Sequence, residues 1–209
     1  MSGNPQVRIC AGGAWRQASL PRLRDDYDVV VFFNWHLDTP PAIEKGWWQQ
    51  GTTEVLKQLG NQEQGIVVLH HAITAFPQWE FWSQLMGNRH EERSWHFENL
   101  GDLVKELSFD ETLHIEIADS DDPITAGLVP WDIRGETWGP TIGGFPGPDC
   151  HVLLTTNHPK MRMKAIAWKL QFRRSRVFCF QPGHDNYSWA DKNFRKVLLR
   201  GIQWAACRQ

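Results

Sequence analysis

Four apolar runs of this chain end in histidine. DVVVFFN (28–34) runs into Trp35-His36, GIVVL (65–69) into His70-His71, HVLLTT (151–156) into Asn157-His158, and RVFCFQ (176–181) into Pro182-Gly183-His184-Asp185. Nine histidines in 209 residues make one or two such coincidences ordinary, but four exceed scatter. Imidazole titrates at about pH 6.5, which makes it the usual proton shuttle at neutral pH. His70-His71 is the sharpest of these features. Adjacent residues leaving a strand point to opposite sides, so one faces a site while the other packs or caps. The competing reading of each is a histidine bonded to nearby backbone. For His184 it is a turn residue, with Asp185 capping the segment that follows.

Three chemistries fit such a set. The first is acid–base work by histidine. The second is metal binding: zinc takes His, Cys or carboxylate ligands, and His70, His184 and a carboxylate such as Glu136 make a facial set. No HExxH or H-x-x-x-H spacing supports it. The third is nucleophilic catalysis, which the residues do not favour. None of Cys10, Cys150, Cys179 and Cys207 sits at a strand-to-helix elbow, and there is no GxSxG. Cys179 lies inside RVFCFQ, where a buried, inert role is expected. Twelve tryptophans stand against two tyrosines. Indole faces stack on the apolar faces of sugar rings. Trp79 and Trp82 are expected in the core. Trp138 and Trp189 are expected on loops, where they could hold a ligand.

Positioning these residues requires a sheet. DVVVFFN and GIVVL are short, continuous and β-branched, as in buried parallel strands. Between them, Thr39-Pro40-Pro41 opens a helix that stops near Gly60-Asn61, completing a βαβ unit. A short helix is expected over 77–86, an irregular excursion over 88–111, and a half-buried strand over 112–119. Residues 120–149 read as loop with an extended piece near 130–134. Strands follow at 151–156, 165–170 and 176–181, the last two forming a hairpin around FRRS. Phe194, Leu198, Ile202 and Ala205 mark one face of a final helix over 191–206. The expectation is an α/β sheet covered on both faces, with ligands bound outside the carboxyl ends of its strands.

The net charge of −2 and the absence of an apolar run of membrane length argue against nucleic-acid and membrane partners. Four scattered cysteines and no secretory signal pattern point to a single cytoplasmic domain over 1–209.

The ordered blocks GIVVLHHA, FPQWEFWSQLMGNR, DDPITAGL, GETWG, RVFCFQPGHD and FRKVLLRGIQWAA resemble the ThuA-like (trehalose utilisation) family over roughly 26–207. The resemblance implies a class I glutamine amidotransferase-like fold, a flavodoxin-like three-layer α/β/α sandwich. In related amidotransferases the nucleophilic cysteine follows the strand matching GIVVL, and here His70-His71 stand at that corner. His184 lies near the place of the amidotransferase histidine. Without a thiolate, glutamine hydrolysis by the usual route is not expected. The chain departs from the family at Asp122-Pro123-Ile124-Thr125, where the family usually has His-Pro-Ile-Thr. It departs again at Gly135-Glu136-Thr137-Trp138, where the family has Asp-Glu-x-Tyr. The family's first βα unit is missing or remodelled, and VRICA (7–11) is the one β-like run available to pair with 28–34.

The expectation is therefore a protein of trehalose, related disaccharide or keto-sugar metabolism. His70, His184 and Glu136 would be catalytic, and His71, Asn34, Trp138 and Trp189 would contact a small sugar ligand. No cofactor is required, with zinc as the alternative, and homo-oligomer formation stays open. The other readings are a non-catalytic ligand-binding or regulatory module on the same scaffold, and a zinc-dependent hydrolase.

Overall fold

A computed structural model describes residues 9–10, 27–37, 51–87, 105, 107–139 and 146–206. Its strands are β1 (Ile9–Cys10), β2 (Val29–Phe32), β3 (Gly65–Leu69), β4 (Leu107–Ile117), β5 (Trp131–Trp138), β6 (His151–Thr155), β7 (Ala165–Phe172) and β8 (Ser175–Phe180). They form an eight-stranded sheet in the order β1-β2-β3-β8-β7-β6-β4-β5. The helices are α1 (Thr52–Leu56), α2 (Glu80–Leu85), α3 (Asn186–Ala190) and α4 (Lys192–Ala205), with a 3-10 turn at His70–Ile73.

β1, β2, β3 and β8 are mutually parallel. β7 runs against β8, β6 against β7, β4 against β6, and β5 against β4. Two reversals restore direction, so β5 and β6 run the same way as β3 and β8. The carboxyl ends of β1, β2, β3, β5, β6 and β8 therefore all open on one edge of the sheet. β2 and β3 are adjacent and parallel, as their apolar runs predict. Ile9 and Cys10 pair with Val29 and Val30 and supply a neighbour for β2. The loop 12–20, with Trp15, lies outside the described residues, as does the expected helix start at 39–41.

The sheet is covered on both faces. Phe178 and Phe180 of β8 point to one face, where α4 packs. Gly201 of α4 lies so close that an added Cβ would stand 2.2 Å from the Phe178 ring, and Phe180 stacks on Phe194. Cys179 points to the opposite face, and Trp168 is its register partner on β7. There Phe32 meets Trp82 of α2 edge to face at 4.9 Å, and Trp168 Nε1 donates to the Met86 carbonyl just beyond α2. Trp82 and Trp168 are fully buried and Trp79 packs against the core, as expected of Trp79 and Trp82.

Two expectations need correction. Residues 131–138 are a full strand and not a loop with a short extended piece. WDIRGETW carries Gly135 at its centre and polar residues on one face, so its own β signal is weak, and pairing with β4 decides its conformation. β4 also begins earlier than expected, at Leu107. A bulge between Ser108 and Glu111, with Asp110 at φ +60°, breaks the alternation that would reveal it.

Candidate functional site

β3 ends at an elbow. Leu69 is extended, and His70, the first residue of the 3-10 turn, takes a left-handed backbone with φ +53°. Positive φ in a non-glycine residue is strained, and such strain gathers at functional sites. Three contacts hold the corner. The buried Trp82 indole donates to the Ala72 carbonyl at 2.9 Å, Thr74 Oγ1 donates to the His71 carbonyl at 2.8 Å, and His70 Nδ1 donates to the Gln181 carbonyl of the β8 end at 2.9 Å. Gly183 permits the approach of the β8 loop: its φ is +139°, and a Cβ there would stand 3.3 Å from His70 Cβ.

β5 brings the carboxylate. Glu136 is 5 % exposed and lies opposite the β4 bulge, a device that re-aims side chains. Its Oε1 accepts a 2.6 Å bond from Trp138 Nε1 and lies 3.0 Å from His71 Nε2 and 3.6 Å from His70 Nε2. Its Oε2 is 2.9 Å from His184 Nδ1, a hydrogen-bond distance without hydrogen-bond alignment. The loop carrying His184 is tied down beside β5. Ser188 Oγ donates to the Arg134 carbonyl, Asp185 caps α3 by accepting from Ser188 N, and Trp189 Nε1 donates to the Gly183 carbonyl. Asp185 thus caps its helix as the sequence suggests, while the adjacent His184 joins the cluster.

Burial decides the charge states. Desolvation, helped by the neighbouring His71, pushes the His70 imidazole down to about 3, so it is neutral at physiological pH. Its Nδ1 carries the proton, because a backbone carbonyl can only accept. Burial alone would raise the Glu136 carboxyl. The hydrogen bonds from His71 and Trp138 are among the contacts that outweigh it and hold Glu136 below the usual carboxylate range. The result is a buried anion ringed by three imidazoles, two enclosed and one, His184, with a third of its side chain in solvent.

A pocket opens over this cluster, lined in part by His70, Arg134, Glu136, Gln181 and His184. Exposed aromatic rings stand at its rim. Phe33 lies 6.0 Å from the His70 ring and meets Trp189 edge to face at 5.9 Å, while Phe109, on the bulge, is 5.1 Å from the His184 ring. Phe33, Phe109 and Trp189 are each 41–46 % exposed.

The structure thus brings together His70, His71, Glu136 and His184, with Trp189 at the rim. Asn34 instead lies within 3.0 Å of His36 Nδ1 through its Nδ2, just beyond β2. Trp138 needs correction: it lies in β5, is completely buried, and offers no face to a ligand. Its indole N–H holds Glu136 in place. His36 stacks on Phe76, and His158 approaches Glu111 at 3.7 Å, so these two strand-end histidines serve other contacts. Sequence reasoning missed Phe33, Phe109 and Arg134. Phe33 sits at the end of an apolar run, where an outward turn leaves no signature, and Phe109 is hidden by the bulge. Cys179 is fully buried as expected, and burial pushes the Cys150 thiol up to about 11.

Among solved structures, a ThuA-like protein from Parabacteroides merdae ATCC 43184 is 20% identical, with a TM-score of 0.64 over 87% of this chain and 71% of that one. A cytoplasmic protein from Salmonella typhimurium is 12% identical, with a TM-score of 0.59 over 90% and 74%. No curated protein matches the chain. At these identities the likeness concerns the fold. The ThuA family, described as trehalose utilisation, matches residues 19–205, a span that holds every strand except β1 and all four members of the cluster. The chain belongs to the ThuA family.

Proposed function

We propose that the chain is an enzyme of carbohydrate metabolism that binds a disaccharide or keto-sugar over the His70–Glu136–His184 cluster and moves a proton there. One observation carries this reading: a buried carboxylate joins three imidazoles at the carboxyl edge of the sheet, and His184, the most exposed of them, lies in the lining of a pocket. Membership in a family described as trehalose utilisation supplies the substrate class.

In this reading His184 takes a proton from a sugar hydroxyl, and the Glu136 anion stabilises the imidazolium that forms. The proton returns to the product at the same nitrogen. His71 and the Trp138 indole hold the carboxylate through its Oε1. Phe33, Phe109 and Trp189 offer apolar faces to the pyranose ring, while Arg134 offers a donor to its hydroxyls.

The test is turnover of trehalose, related disaccharides and their keto derivatives by the wild type, His184→Ala and Glu136→Gln. Turnover of at least one sugar is expected, falling about 100-fold in each variant while the melting temperature stays within a few degrees. Saturable binding without turnover would replace this reading with a ligand-binding module, and neither binding nor turnover would end it.

A further inference from the structure

The arrangement around Glu136 is incomplete as a hydrogen-bond network. His70 gives its one ring proton to the Gln181 carbonyl, so its Nε2 is a bare lone pair. That atom is buried, has no hydrogen-bond partner among the described residues, and faces Glu136 Oε1 at 3.6 Å. A lone pair and a carboxylate oxygen do not attract one another. Glu136 Oε2 is buried and likewise unpartnered, although His184 Nδ1 stands 2.9 Å away. Such orphaned atoms are costly inside a protein. A cation between them would satisfy both.

We infer that His70, His71, Glu136 and His184 form a binding site for a divalent transition-metal ion, with zinc the best match to the donors. One ligand atom from each of the four lies within 4.8 Å of every other. An ion with bonds of about 2 Å holds its donors roughly 3–4 Å apart, so small side-chain movements close the site. Three imidazoles and one carboxylate suit zinc and its first-row neighbours, and not calcium or magnesium, which take oxygen ligands. The His70 Nδ1 bond to a backbone carbonyl is the kind of outer contact that orients a metal-binding histidine, and the Trp138 bond does the same for the carboxylate. The strained backbone at His70 delivers Nε2 to the ion.

A second group, Asp119, Asp122 and His151, shows the contrast. There Asp122 is already paired with Lys169 and caps Ile124 N, and Asp119 is bonded to His151 at 2.8 Å. Its carboxylates have their partners.

The inference does not depend on the saccharide reading. A sugar oxygen meets an imidazole in the ion-free site and the ion in the filled one, so sugar turnover and metal binding fail separately. The test is titration of chelator-treated, full-length protein with zinc chloride by calorimetry, with cobalt substitution followed by its visible absorption. One zinc per chain is expected, with affinity falling about 100-fold in Glu136→Gln and in His184→Ala, and unchanged in His151→Ala. Both site variants are read only with wild-type circular dichroism, and the exposed His184 makes its variant the safer of the two to fold. Cobalt bands present in the wild type should change in His184→Ala. No stoichiometric zinc, or zinc whose affinity and cobalt spectrum ignore both site variants, overturns the inference.

Discussion

His70 stays uncharged because burial excludes the imidazolium, and that has a direct consequence for stability. An unfolded histidine titrates at about 6.5, whereas folded His70 resists protonation down to about 3. Above pH 6.5 both states are neutral there and the folded state keeps its full stability. Below it the unfolded chain takes up a proton that the folded one refuses, so stability is lost as pH falls from 6.5 towards 3, by about 1.4 kcal/mol per unit. Glu136 acts in the same direction at lower pH. Its folded carboxyl is held below the usual range, so its contribution is present above the ordinary carboxylate value and lost as pH falls through the folded one. Melting curves of chelator-treated protein should therefore fall steadily from pH 6.5 to 4.5. His70→Asn should flatten the upper part of that slope, and a wild-type curve flat from pH 7 to 5 would show that His70 is charged in the fold. At this scale the sequence was informative about the imidazoles, because a histidine at the end of an apolar run is visible as such. It was silent about Trp138, whose role as donor to Glu136 depends on β5 being a strand. It was also silent about the rings of Phe33 and Phe109, whose exposure depends on a turn and a bulge.

α4 is held on the sheet by one close crossing and started by one cap, and each can be tested by one substitution. Gly201 lets α4 lie against the Phe178 ring on the sheet. A branched side chain there must push the helix away, so Gly201→Val should destabilise by about 1–3 kcal/mol or more, read as a lower denaturant midpoint. Asp191 caps the same helix by accepting from Phe194 N at 2.7 Å. Asp191→Ala should cost about 1 kcal/mol, and a neutral result would mean that the packing of α4 alone fixes its start. The final helix, the β7–β8 hairpin and the β2–β3 pair were legible from periodicity, because each follows one rule over its whole length. β5 and the first half of β4 were not. Gly135, the polar face of β5 and the bulge at Asp110 all disguise strands that exist because each has the other to pair with. The carboxylate at the centre of the site stands on one of these disguised strands.

The whole molecule is a sheet whose directions, after paired reversals, gather the carboxyl ends of six strands at one edge. That is why residues as distant in sequence as His70, Glu136 and His184 meet. β1 is the thinnest part of this arrangement, with two residues covering one side of β2. A chain lacking residues 1–10 should exchange the amide protons of Val29–Phe32 faster than the full chain, and should melt lower. Equal exchange would show that β1 contributes nothing to the sheet. Among the described residues no helix is long and apolar enough to cross a membrane. The claim on which the functional account turns is that a sugar contacts the histidine cluster itself. Long-range nitrogen-15 NMR of the histidine side chains during titration with trehalose and its keto derivatives tests this most directly. The His184 signals should shift first and those of His70 and His71 follow, while His114 and His151, away from the cluster, stay fixed. Saturable sugar binding that leaves the His184, His70 and His71 signals unmoved would contradict that claim.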